Sequence, residues 1–280
     1  MSAGTRADTS GTSIAVRSTK YLSRIALRWV VLVALIGSWQ LATVNLSSPY
    51  WVPPFTIIRR VAELWLTSGE GILSTSMAQD VLPSLARMLG GFLLAMVLAI
   101  VVGVAIGLSD AFGDYVDPIL QFLRAAPPPA LIPVFLVVFG TGDQTRVSLI
   151  AFGAAWPILL NTIEGVRSIE SIKYETSAVF RIPLRLRLTH IVLPGAASKI
   201  LAGIRTSLSI GLILMVISEM VASSSGIGFR IVQAQRSFAL VDMWAGILLL
   251  AILGYLLNQV LTVVERRILR WHRLAGHETS

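Results

Sequence analysis

Two stretches of the chain, residues 88–109 and 243–264, run on without a single Asp, Glu, Lys or Arg. A helical residue advances about 1.5 Å, so about 20 apolar residues cross a hydrocarbon core about 30 Å thick. Three further stretches, 29–44, 147–163 and 200–218, are nearly as clean, the last carrying Arg205 near its start and ending beside Glu219. A sixth, 118–140, contains Arg124 and the run Pro127-Pro128-Pro129, so its first half is not a regular helix throughout. Its second half, 131–139, is uncharged, and a kink is predicted at Pro133. Of the 280 residues 55% are hydrophobic and 14% charged, against roughly a quarter charged in a soluble domain. The fold class is therefore an all-α integral membrane protein with six transmembrane helices.

Orientation follows from the placement of Lys and Arg in short loops. With the N-terminus inside, cytoplasmic segments hold Arg17, Lys20, Arg24 and Arg28, then Arg124, then Arg167 to Arg205, then Arg266, Arg267, Arg270 and Arg273. Outside there remain Arg59, Arg60, Arg87, Arg146, Arg230 and Arg236. Both termini are expected in the cytoplasm of a plasma or inner membrane. The net charge of +8 is read as loops touching anionic lipid, with no nucleic acid partner. The basic start is read as part of a first span rather than as a cleaved signal peptide, because no clear small-x-small cleavage site follows it. The expected organisation is a disordered tail over 1–24, a first span and external segment over 25–85, a core over 86–266, and a second tail over 267–280. Within 25–85, residues 57–66 have the spacing of an external amphipathic helix lying at the interface.

The longest cytoplasmic segment after the tail is 163–199. Residues 164–180 are helix-compatible, with Ile169, Ile172, Ser177 and Phe180 expected on or near one side. Pro183 ends that helix, and a basic stretch leads through Ile191-Val192-Leu193-Pro194 into the fifth span. A short helix held between two prolines at the membrane face is a rigid lever for another protein to push.

This segment resembles the cytoplasmic loop of the permease subunits of bacterial ABC importers of the nitrate, sulfonate and taurine type. Their pattern E-A-A-x3-G-x9-I-x-L-P reads here as Glu175-Thr176-Ser177, Arg181 at the glycine, then Ile191, Leu193 and Pro194, without a gap. Both alanines are small hydroxyl residues. Arginine in place of glycine calls for another turn geometry or a cavity, since glycine tolerates a left-handed backbone. Four other elements match in order: Arg124 to Pro127 with Ala130 and Pro133, Phe139-Gly140-Thr141-Gly142, Gly203-Ile204-Arg205, and Ser218-Glu219-Met220 followed by Ser225-Gly226-Ile227-Gly228.

The resemblance implies a five-helix permease core, two ATPase subunits on the cytoplasmic loops, a second permease subunit in a homodimer, and an external solute-binding protein. It implies that Glu175, Thr176 and Ser177 lie on a coupling helix whose exit is shaped by Arg181, Ile191, Leu193 and Pro194. Glu175 pairs with a basic residue of the ATPase or caps its own helix. The implied solute is a small anion such as a sulfonate, taurine, nitrate or an aromatic carboxylate.

Among ionisable groups near the membrane, Glu219 is either a pathway or gate residue or a carboxylate in the external head-group layer. Arg205, about one turn inside the other end of that span, is expected to snorkel to the cytoplasm, with a pathway role as the alternative. Arg124 is read as an anchor rather than a solute ligand. Gly91, Ala95, Ala99, Gly103 and Gly107 recur every fourth residue and predict close helix packing. The three histidines and absent cysteine build no metal cluster. Without a G-x-x-x-x-G-K-[ST] loop the chain has no phosphate cradle of its own, so it is read as a non-catalytic subunit without cofactor. A secondary transporter is the alternative, and a membrane enzyme using Glu219 or His190 stands further off.

Overall fold

In the computed structural model the described residues are 29–46, 48, 50–67 and 75–269. The expected tail over 1–24 lies outside them, as do residues 270–280 of the expected tail over 267–280, with His272 and His277, while Arg267 and Ile268 belong to the last helix. The chain is helical: α1 (Trp29–Val44), α2 (Pro54–Val61) running on into a π-helical turn Ala62–Thr67, and α3 (Leu82–Gly107), entered through a second such turn, Met77–Val81. Next come α4 (Asp110–Ala125), α5 (Ile132–Phe139), α6 (Asp143–Arg167), α7 (Ser171–Val179) and α8 (Leu184–Arg187). The π-helical turn Leu188–Val192 leads from α8 into α9 (Leu193–Ala222), followed by α10 (Ile227–Arg236) and α11 (Leu240–Ile268).

Among the described residues four helices are long and apolar enough to cross a membrane: Met77–Gly107, Asp143–Arg167, Leu184–Val221 and Leu240–Ile268. The pair α4 and α5 makes a fifth if its two arms, bent by 82°, count as one span. The bend is not at Pro133. It falls at Ala126 and Pro127, both extended (ψ 120° and 119°), because a residue before proline is driven out of the helical region. Pro133 sits in the first turn of α5, where its missing N–H has no helical partner to lose. The sixth expected span, α1, is shorter than the other spans.

The core is the triad α3, α6 and α9. Along α3 the small residues at every fourth place do what their spacing predicts. A Cβ on Gly91 would lie 2.7 Å from the Val147 carbonyl oxygen, on Gly103 2.7 Å from Thr162 Cβ, and on Gly107 2.7 Å from Val166 Cβ. Ala95 and Ala99 between them are buried. With no hydrophobic drive between helices in lipid, this close approach gains its stability from dispersion contacts. A second cluster packs α2 and its continuation, through Val61, Leu64 and Trp65, onto Ile227, Ile231, Ala245 and Leu249 of α10 and α11. The expected amphipathic helix is thus present and starts earlier, at Pro54. It presents Phe55, Ile58 and Arg59 outward. In α11 only 6% of the apolar window is buried within the chain.

Candidate functional site

The loop from α6 to α9 folds as a short helix with a defined end. After Arg167 the Ser168 hydroxyl donates to the Gly165 carbonyl at 2.8 Å, and Ile169 packs beneath Gly195 of α9. The inward side of α7 is Tyr174 and Ser177, whose hydroxyls donate to the carbonyls of Val166 (3.2 Å) and Tyr174 (2.7 Å). Burial raises the Tyr174 phenol above its ordinary pKa. Ile172 and Phe180, expected on or near one side with Ser177, do not share its burial and are 63% and 74% exposed. Ile172 lies well around the helix from Ser177, and Phe180 is the residue at which the helix unwinds.

Arg181 answers the question raised by the missing glycine. It adopts the left-handed conformation itself, at φ 49°. The Arg181 N–H donates to Ala178 (3.0 Å) and the Ile182 N–H to Ser177 (2.9 Å), the bond pair that closes a helix end through a left-handed residue. The turn geometry is the one glycine favours, and no cavity is needed. Pro183 then precedes α8 with extended backbone.

Of the residues singled out in this loop, Thr176, Ser177, Ile191 and Pro194 line one groove of about 380 Å³, with Ile172 and Ile182. Leu193 is 38% exposed beside it. Glu175 stands mid-helix and exposed. It therefore does not cap α7, and among the described residues it has no ion-pair partner.

At the opposite end of the bundle lies a cluster that the sequence presented only as scattered charges. Glu219 of α9 is 1% exposed, so its carboxylate faces the interior of the chain. Arg87 Nη1 donates to its Oε1 at 2.9 Å, Ser84 Oγ lies 2.8 and 2.9 Å from its two oxygens, and the Gly228 N–H donates to Oε2 at 3.0 Å. The carboxylate thus meets the first turn of α10, where backbone N–H groups favour negative charge. Gly226 is required here twice over: its φ is 109°, and a Cβ would come within 2.5 Å of the Glu219 carboxyl group. Arg87 also donates to Ser225 Oγ (2.8 Å) and to Asp143 Oδ1 (2.8 Å), and Arg146 pairs with the same Asp143 oxygen at 2.7 Å. Nearby, Asp80 and Arg230 pair at 2.8 Å. The cluster ties α3, α6, α9 and α10 together.

Sequence reasoning missed Ser84, Arg87 and Asp143. Arg87 borders the charge-free stretch, so a demand for a buried partner was the one signal available. Arg205 does not snorkel alone: its guanidinium contacts Glu265 of α11, beside Asn258 and Thr262 in a polar groove of about 330 Å³. Arg124 is exposed in the last turn of α4 and contacts Gln121. The three pathway candidates thus sit at separate places in the single chain.

Residues 79–270 match the sequence profile of the binding-protein-dependent transport system inner membrane component. The chain belongs to that family. It is a membrane permease subunit of the ABC importer kind and not itself an enzyme, and permeases of this kind work with ATPase and substrate-binding partners. It is 33% identical to a Bacillus subtilis permease protein named for aliphatic sulfonate transport, over 85% of this chain and 84% of the relative. To the taurine transport system permease protein of Escherichia coli it is 29% identical, over 93% of this chain and 98% of the relative. The bicarbonate transport system permease protein of Synechococcus elongatus is 32% identical over 72% and 73%. In fold the chain is similar to one from the MetNI methionine ABC transporter, with a TM-score of 0.58 at 21% identity, covering 68% of this chain and 94% of that one.

Proposed function

We propose that this permease passes a small anionic or zwitterionic solute of the sulfonate, taurine or inorganic oxyanion class across the membrane. The observation that carries the reading is the set of relatives: the sulfonate and taurine permeases match along most of both chains. The permease core is taken as 86–266, both termini as cytoplasmic, and the assembly as a homodimer.

In this reading α7 is the coupling helix. Glu175 stands free to meet a basic residue of the ATPase, and Thr176 and Ser177 form the floor of the groove completed by Ile191 and Pro194. The Arg181 turn and Leu193 set the angle at which the lever joins α9. Movement of α7 is transmitted through α9, which packs along α6, so the core shifts as one body. Arg205, with Asn258 and Thr262, supplies polar lining for the inner pathway. Glu219 acts as a clamp within the subunit rather than as a solute ligand, and Arg124 as an anchor at the α4 bend.

The test is co-purification from detergent with the cognate ATPase, followed by uptake of labelled taurine, an alkyl sulfonate and nitrate in vesicles reconstituted with the ATPase and the solute-binding protein. Wild type binds the ATPase and Glu175→Lys loses it. Uptake of none of the three with the ATPase bound overturns the solute class alone, whereas failure of a folded wild type to bind ATPase overturns the coupling reading.

A further inference from the structure

A second cavity flanks α7 on the side away from the coupling groove. It measures about 400 Å³ and lies between the inner ends of the core helices and the loop exit, lined by Gly107, Asp110, Arg167, Ser171, Tyr174 and Arg187 among others. Two arginines from different elements therefore line one space. Arg167 comes from the last turn of α6, and Arg187 from the last residue of α8. The Arg187 Nε is buried without a hydrogen-bond partner, and its guanidinium stands 6.0 Å over the Tyr174 ring. Arg167 has a loose contact, 3.7 Å, with Asp110, whose side chain is 90% exposed. One exposed carboxylate is poor compensation for two arginines, one of which holds a buried, unsatisfied donor.

We propose that Arg167 and Arg187 form a binding site for a phosphate group, with Ser171 and Tyr174 lining the same space. The planar forks of arginine suit the tetrahedral oxyanion, and both can donate in pairs. The depth fits a phosphate from either of two sources. Gly107 and Arg167 end helices long and apolar enough to cross a membrane, where a lipid phosphate would stand, and Ser171 and Arg187 of the loop line the same cavity, where free phosphate would arrive. A bound phosphate would bridge α6 to the exit of α8. It would thus fasten the loop to the core independently of any ATPase.

The experiment uses the full-length chain in nanodiscs and reads thermal unfolding by tryptophan fluorescence, so it is independent of ATPase binding and of solute uptake. One arm titrates inorganic phosphate into discs of phosphatidylcholine alone. The other compares those discs with discs containing phosphatidylglycerol, without phosphate. Wild type is expected to unfold at higher temperature in one arm, which names the source. Arg187→Gln and Arg167→Gln are each expected to lose the shift or to weaken the apparent affinity roughly tenfold or more. Arg185→Gln, an exposed neighbour outside the cavity, keeps it. Should Arg187→Gln fail to fold, Arg187→Lys, which retains charge without the fork, is expected to weaken the shift. No shift for wild type in either arm, or a shift equally large in the Arg187 and Arg167 variants, overturns the proposal.

Discussion

Arg87 and Glu219 lie 132 residues apart in sequence and meet at 2.9 Å in the interior of the chain, with side chains 7% and 0% exposed. Breaking a buried pair by removing one partner leaves an uncompensated charge, at a cost of about 3–5 kcal/mol. Glu219→Ala and Arg87→Ala are each expected to lower the unfolding temperature in detergent markedly, and Arg87→Met/Glu219→Leu to recover part of the loss. A double variant no better than either single one would sink the clamp.

The α3–α6 seam has no room for a methyl group at three glycines. Gly103→Ala places a Cβ 2.7 Å from Thr162 Cβ, and overpacking of this kind costs about 1–3 kcal/mol. Gly90, one residue from Gly91, would meet nothing within 4 Å. Gly90→Ala is therefore expected to leave the melting curve unchanged while Gly91→Ala shifts it down.

The left-handed Arg181 makes an unusual prediction for its substitution by the family's own residue. Releasing a side chain from that conformation gains about 1 kcal/mol, which the extra freedom of unfolded glycine largely offsets. Arg181→Gly is expected to be near neutral. Arg181→Val, β-branched at positive φ, is expected to fray the turn. Limited chymotrypsin cleavage after the exposed Phe180 reads the difference, and equal cleavage of the two variants would contradict it.

Acid should loosen α2. Hydrogen bonds from Arg60 and then Arg59 hold the Glu63 carboxyl below its ordinary pKa. A carboxylate with a depressed folded pKa contributes stability that is present above the unfolded value, about 4.3, and is lost as pH falls through the folded value. Wild type is expected to lose more unfolding temperature than Glu63→Gln between pH 6 and pH 3. Parallel curves would remove the ion pairs from the account.

What was legible in the sequence is what a bilayer forces on it. The stretches 88–109 and 243–264 became α3 and α11 because hydrocarbon tolerates no unpaired charge and demands length. The short helix between α6 and α9 was legible through its apolar and proline spacing. The bend near Pro127 was misplaced because a proline's effect depends on whether it falls in the first turn, which composition does not reveal. The cluster at Glu219 was out of reach for a different reason. Its members come from four helices and the turn before α10, and each charge alone resembles an ordinary one at the membrane edge. Arg181 was read as a departure from the pattern because the residue identity changed while the backbone shape did not.

Asp143 is 64% exposed, whereas the two arginines it holds are nearly enclosed. The knot that fastens four elements therefore has its wettest corner at Asp143. Dissolved ions compete with an exposed charge and hardly reach enclosed ones. Any untying begins at the α6 strand of the knot, from the solution side, and leaves the Arg87–Glu219 grip for last. The bundle is fastened like a drawstring bag, with its loose end on the outside.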